Sequence, residues 1–167
     1  MYAEYEGDIF LDGQKVNFKN PHNAIEYGIV KVHQEISLVP ELTVGQNIVL
    51  GYEPRKGQFI DFDKLYSQSD KILKRLHCKF GSNDIIRNLS IGEMQMATIA
   101  KALFHNARVI SLDEPTSSLF GPEVNTLFEI IKGLKNKGTT IIYVTHKLEE
   151  VFQIADRVTV LKDGKCM

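Results

Sequence analysis

The sequence predicts an α/β fold, a mostly parallel sheet dressed with helices, and three observations carry that prediction. Short apolar runs rich in β-branched residues alternate with stretches whose apolar positions recur at helical spacing. One such run, Val109-Ile-Ser-Leu, stops at two adjacent carboxylates, Asp113 and Glu114, where an open α/β sheet binds ligands at its strand ends. A helical stretch at about 40–89 interrupts the alternation, as an insertion into the sheet would. The alternation argues a parallel sheet covered on both faces.

Taken in order, 8–11 and 15–18 flank Asp12-Gly13 and read as a small antiparallel hairpin. Pro21 to Tyr27 reads as a short helix stopped by Gly28, and Ile29 to Val32 as a strand. In the helical stretch a Gly- and Pro-containing loop spans 51–57. Asp61 or Asp63 can cap a helix that places Leu65, Ile72, Leu73 and Leu76 on one face. A further helix runs from about Ile91 to Phe104. After the strand at Val109 to Leu112, Glu123 to Lys135 is amphipathic through Val124, Leu127, Phe128, Ile131 and Leu134, and Gly138 ends it. Thr139 to Val144 reads as a strand of buried type, Lys147 to Ile154 as a helix, and Arg157 to Leu161 as a strand before the Asp163-Gly164 turn. No internal repeat and no low-complexity segment occurs.

Composition narrows the function classes. Twenty basic against 21 acidic residues give a net charge of −1, which is no electrostatic footprint for nucleic acid. Cys78 and Cys166 are far apart and form no C-x-x-C, so they read as reduced cytosolic thiols. No apolar stretch is long enough to span a bilayer, and the first residues lack the pattern of a signal peptide. A cytosolic location is expected.

Four places could carry chemistry. Asp113 and Glu114 at a strand end could hold Mg²⁺ through its water shell and polarise a water that attacks a γ-phosphate; the alternative is a strand running into an acidic turn. Ser90 followed by Glu93 is a capping box, and the segment is either simply a well-made helix start or an anion site using the Ser90 hydroxyl, exposed N–H groups and Gly92. Gln34, after the strand at 29–32, could ligate Mg²⁺ or touch the attacking water, or be an ordinary loop residue. His146, at the end of the strand at 139–144, could hydrogen-bond a γ-phosphate, or be a polar loop residue. His22, His33, His77 and His105 have no mutual spacing suited to a metal.

In combination these segments resemble the ATP-binding cassette (ABC) family over essentially the whole chain. Gln34 falls at the Q-loop glutamine; Leu89-Ser-Ile-Gly-Glu93 matches the Leu-Ser-Gly-Gly-Gln signature with changes at Ile91 and Glu93. Ile110 to Glu114 matches the Walker B strand with its catalytic Glu, and His146 the switch histidine. Finer likeness is to bacterial ribose- and galactose-type monosaccharide importers, on 9–18, Gly28 to Glu35, Leu42-Thr-Val, Asn47-Ile, Leu50-Gly, Glu53-Pro and Ile99-Ala-Lys-Ala102. These segments look like the first of the two cassettes in that subfamily's polypeptide.

The resemblance implies a P-loop NTPase-type core with 40–89 as a helical subdomain that touches a transmembrane permease. It implies ATP and Mg²⁺ as ligands, with Glu114 and His146 catalytic, Gln34 and Asp113 serving the metal, and Ser90, Gly92 and Glu93 at the ATP of a second, head-to-tail cassette. It further implies ATP hydrolysis driving sugar import at the cytoplasmic face of the plasma membrane, served indirectly by a periplasmic sugar-binding protein. Three departures stand beside it. No Gly-x-x-x-x-Gly-Lys-Ser/Thr phosphate loop occurs in the sequence, Phe120 stands where many cassettes have Asp, and the chain stops where the family continues. The core is therefore expected to be an incomplete cassette, 1–167, inactive alone, with the missing strand beside Val109 to Leu112. Two alternatives remain: a non-catalytic cassette remnant, and a soluble cassette ATPase of DNA repair or translation. For the second, the usual coiled-coil insertions, zinc cysteines and basic linkers are not visible.

Overall fold

Apolar runs at 29–32, 109–113 and 140–144 form the centre of the molecule. The structure, a computed structural model, describes residues 7–32 and 37–167. Strands β3 (Ile29–Val32), β6 (Val109–Asp113) and β7 (Thr140–Val144) pair in parallel in the order β3-β6-β7. The register aligns Val30 with Ile110 and Ile141, and Val32 with Leu112 and Tyr143. Because side chains alternate along a strand, these six share one face, and it is the face that packs into the core.

The opposite face carries Lys31, Ser111, Ile142 and Val144, and Ile142 and Val144 are 50% and 47% exposed. The expected covering of both faces is therefore corrected: the described residues bury one face. The same finding corrects the buried-type reading of β7, which alternates between exposed and partly buried positions. The missing partner expected beside β6 is also corrected, since β6 is paired on both sides and, among the described residues, the open edges belong to β3 and β7.

Helices α4 (Ile91–Phe104) and α5 (Gly121–Asn136) pack against β3 and β7 respectively. Helix α5 buries Leu127, Phe128, Ile131 and Leu134, one stripe at helical spacing, and Gly138 follows it at φ +87°, where a side chain would be strained. It begins two residues earlier than Glu123 because Pro122 suits the first turn of a helix.

The segment at 40–89 is helical, with one addition. Helices α2 (Val44–Val49) and α3 (Phe62–Arg75) flank a two-stranded hairpin of β4 (Arg55–Lys56) and β5 (Phe59–Ile60), where the sequence suggested only a loop. Asp61, not Asp63, caps α3 by accepting from the Lys64 N–H at 3.0 Å. Leu65, Leu73 and Leu76 are buried as expected, and Ile72 is partly so. Asn47 is fully buried and behaves like a strand partner: Oδ1 accepts from the Val39 N–H at 2.7 Å and Nδ2 donates to the carbonyls of Val39 and Thr43. Val44, Ile48, Leu65 and Ile86 join Val30, Ile110 and Leu112 in one continuous core.

Two further hairpins lie at the ends of the described chain. β1 (Ile9–Leu11) pairs with β2 (Gln14–Val16), and β8 (Leu161–Lys162) with β9 (Lys165–Cys166). Each turns at Asp-Gly with both residues at positive φ, the geometry that matches strand twist. The strand expected over Arg157 to Leu161 is corrected: 157–160 has no ladder partner among the described residues, and the Asp163-Gly164 turn draws only Leu161 and Lys162 into pairing. The two remaining helices are α1 (Pro21–Glu26) and α6 (Leu148–Ile154). Among the described residues no helix is long and apolar enough to cross a membrane.

Candidate functional site

The parallel register brings the C-terminal ends of β6 and β7 side by side, and with them the residues that follow each strand. Asp113 is the last residue of β6. Glu114 follows at φ +44°, its N–H donating to the Val144 carbonyl at 2.9 Å, so the ladder continues one residue past the strand. That turn delivers the Glu114 carboxylate to His146, with Oε1 and Nδ1 3.0 Å apart. The two side chains, 32 positions apart in sequence, form one polar pair open to solvent.

Asp113 has a different neighbour. Its Oδ2 lies 3.0 Å from the Lys31 ammonium, which reaches across the open face of the sheet from β3. Lys31 was not singled out from the sequence, because a lone Lys in an apolar strand has no local pattern that points to a carboxylate 82 positions away. The Asp113 side chain is 35% exposed and already attracts a cation. A strand-end carboxylate within reach of water suits Mg²⁺, which keeps most of its own waters and takes few protein ligands. Gln34, the other metal candidate, lies outside the described residues.

The helix start at Ser90 is a complete capping box. Glu93 N–H donates to Ser90 Oγ at 3.3 Å, and Glu93 Oε2 accepts from both the Ser90 N–H and the Ser90 hydroxyl at 2.9 Å. A carboxylate thus holds the two donors that Ser90 would offer an anion. The amides of Ile91 and Gly92 have no intrahelical partner, as in the first turn of any α-helix.

Gly92 sits against α5. A Cβ there would come within 2.7 Å of Glu123 Cδ. Glu123 in turn caps α5 by accepting from the Phe120 N–H at 3.0 Å; Phe120 has no side-chain oxygen to reciprocate. Gly92→Val is therefore expected to push the flexible Glu123 carboxylate off the Phe120 N–H and to cost about 0.5–2 kcal/mol, the worth of the lost cap. In a Glu123→Ala background most of that cost should vanish, because the clashing atoms are gone. Thermal melts of the four chains check this, and additive losses would show that Glu123 is not what keeps position 92 bare.

The structure adds a group that sequence reasoning missed. Glu150 on α6 is 6% exposed and accepts from Thr116 Oγ1 at 2.6 Å, Tyr143 OH at 2.7 Å and Thr145 Oγ1 at 3.2 Å. The Lys147 ammonium lies 3.4 Å from its other side and donates to Thr116 Oγ1 at 3.1 Å. Burial pushes the Glu150 carboxyl up, but the hydrogen bonds from Thr116, Tyr143 and Lys147 outweigh it and hold the group below the ordinary glutamate value. Burial and the neighbouring carboxylate push the Tyr143 hydroxyl up, so it stays a donor. No sequence signal marks this set: Tyr143, Thr145, Lys147 and Glu150 share one stretch, but Thr116 lies 34 positions before Glu150.

Elsewhere, burial and then the Glu93 charge push the Cys78 thiol up to about 11, so it stays protonated and unreactive. Cys78 lines, with His77, Phe80, Gln95, Met96 and Leu119, a groove of about 290 Å³ beneath the Ser90 helix start.

Comparison with known proteins shows the family and the fold. A family model described as ABC transporter matches residues 1–117. The chain is 46% identical over 165 residues to the galactose/methyl galactoside import ATP-binding protein MglA of Clostridium perfringens, covering 99% of this chain and 32% of that protein. It is 48% identical over 164 residues to the xylose import ATP-binding protein XylG of Thermoanaerobacter pseudethanolicus, covering 98% and 32%. The chain therefore spans about a third of the length of these relatives. Among solved structures it is similar to the ATP-binding cassette MJ0796 in a dimeric post-hydrolysis state bound to ADP and Pi, with a TM-score of 0.75, 26% identity, and 96% of this chain and 71% of that one covered. It is also similar to MJ1267, an ATP-binding cassette of an ABC transporter, with a TM-score of 0.82, 25% identity and coverage of 97% and 68%.

Proposed function

The chain belongs to the ABC transporter family, and from that premise we propose that it is part of an ATP-hydrolysing cassette that drives import of a monosaccharide. The observation that carries the reading is the Glu114–His146 pair at the ends of adjacent parallel strands, with Asp113 beside it. In this reading Glu114 polarises the attacking water and His146 orients it against the γ-phosphate. Asp113, with Gln34, would hold Mg²⁺, which when bound supplies positive charge to the phosphates. Lys31 pairs with Asp113 across the open face and aims it along the sheet end. Ser90 and Gly92 face the ATP of a second cassette arranged head to tail. For Ser90 to meet a phosphate, Glu93 must release its two hydrogen bonds.

Import of a sugar is proposed from the names of the relatives, MglA and XylG. A transmembrane permease against 40–89, a periplasmic sugar-binding protein and a place at the cytoplasmic membrane face complete the reading. The exposed Phe59 and Phe62, 80% and 49% accessible, give that segment an apolar surface to offer the permease.

The test begins with the chain as it stands. Its sequence contains no phosphate loop, and Asp113 and Glu114 repel a polyphosphate unless a cation intervenes. Isothermal titration of the 167-residue chain with Mg-ATP is expected to show no micromolar binding. Joining the phosphate-loop segment of a close relative ahead of Met1 should restore binding and give phosphate release. A folded fusion that binds Mg-ATP but releases no phosphate would overturn the hydrolytic reading.

A further inference from the structure

Glu114 and His146 are both solvent-accessible, and their contact with each other is a single hydrogen bond. Such a pair is not held by its own packing, so its spacing depends on the loops that carry it. Thr116 lies two residues beyond Glu114. Thr145 and Lys147 flank His146. All three converge on Glu150, which touches neither Glu114 nor His146 through any hydrogen bond of the described residues.

We propose that Glu150 is a positioning residue, a buried carboxylate that clamps the loop after Glu114 to the loop around His146 and so fixes how those two side chains meet. An ionised carboxylate is acceptor-only, with about four lone-pair sites on two oxygens, enough for three hydroxyls and an ammonium. A glutamine has one carbonyl oxygen and would turn an NH₂ toward groups that are themselves donors. The hydroxyls do double duty: Thr116 Oγ1 donates to Glu150 and accepts from Lys147 Nζ, and Thr145 Oγ1 donates to Glu150 and accepts from the Lys147 N–H at 3.1 Å. A residue needed only to dock α6 on β7 could stop at Tyr143. The remaining ties all go to the two loops.

The consequence for turnover rests on the reading of Glu114 and His146 as the pair that handles the attacking water; the clamp itself does not. The experiment therefore has two arms. In the first, the 167-residue chain with ¹⁵N-labelled histidine is observed by NMR at a fixed mildly alkaline pH, comparing the ring shifts and tautomer of His146. Glu150→Gln and Thr116→Val are expected to shift His146 toward the tautomer mixture of a free histidine. Tyr143→Phe removes a donor on the strand and should lower the melting temperature while leaving the His146 signature in place. Should Glu150→Gln fail to fold, Thr116→Val decides. Lower melting with an unchanged His146 spectrum in the folded variants overturns the proposal.

In the second arm, the fusion carrying a phosphate loop is assayed for phosphate release. Glu150→Gln should lower kcat about ten- to a hundredfold, with little change in the KM for ATP, as misplacement of reacting groups does. If Glu114→Gln abolishes turnover while Glu150→Gln changes neither turnover nor the His146 spectrum, the clamp is wrong and the site reading stands. If Glu114→Gln leaves turnover intact but Glu150→Gln still shifts the His146 spectrum, the clamp stands and the catalytic reading falls.

Discussion

Replacing Glu114 with glutamine is expected to abolish phosphate release in the fusion that carries a phosphate loop, while ATP binding stays largely intact. The amide keeps the shape of the side chain and can still meet His146 across the 3.0 Å gap. It lacks the negative charge that polarises water, an effect worth about 10²–10⁴-fold. Asp113→Asn should behave differently, weakening the Mg²⁺-dependent part of ATP affinity and releasing Lys31 from its ion pair. His146→Ala should lower turnover with little change in affinity. Steady-state phosphate release and nucleotide titration on the three variants separate these outcomes. Near-wild-type turnover in Glu114→Gln would move the catalytic role to another carboxylate.

Ile110→Ala should be the most damaging single truncation among the residues that hold the site in place. Ile110 is fully buried at the middle of β6, aligned with Val30 on one side and Ile141 on the other. Truncating such a residue costs about 2–5 kcal/mol, transfer and cavity terms together. Against a domain stability of about 5–15 kcal/mol, that is a large fraction. The melting temperature should fall by about 6–12 °C for a loss near 3 kcal/mol. Ile142→Ala, one position past Ile141 and therefore on the open face, half exposed, should change stability by less than about 0.5 kcal/mol. Equal losses at 110 and 142 would contradict the one-sided burial of the sheet.

Where a local signal and a tertiary demand coincide, the sequence reads correctly. Ser90 with Glu93 marks the start of α4, and the structure begins the helix at Ile91. The apolar run ending in two carboxylates is β6, and Ile29–Val32 is a strand as read. The failures lie where pattern and context part. Thr139 to Val144 looks buried because Ile141, Ile142 and Val144 are all apolar, yet alternation puts Ile142 and Val144 on the uncovered face. Arg157 to Val160 has strand composition, but among the described residues it has no strand to pair with, and only Leu161 joins a ladder. The β4–β5 hairpin hides among glycines because two-residue strands carry no periodicity. Of the site, the separate parts at 113–114 and 146 were legible as candidates. Their juxtaposition through the β6–β7 register was not, and neither were Lys31, paired with Asp113 from another strand, and Glu150, whose tie to Thr116 spans 34 positions.

Glu114 adopts a left-handed backbone, at φ +44°, where a residue with a Cβ is about 1–2 kcal/mol less comfortable than in the right-handed region. The hydrogen bond from its N–H to the Val144 carbonyl anchors the peptide that leads into this bend. The aim of its carboxylate is therefore set by the main chain before any rotamer is chosen. A polypeptide selected for folding alone would place glycine or asparagine at this position and relax the bend. The presence of glutamate there localises a conflict between durability and activity to one residue, and stabilising campaigns on this protein should leave position 114 untouched even though it offers an easy gain.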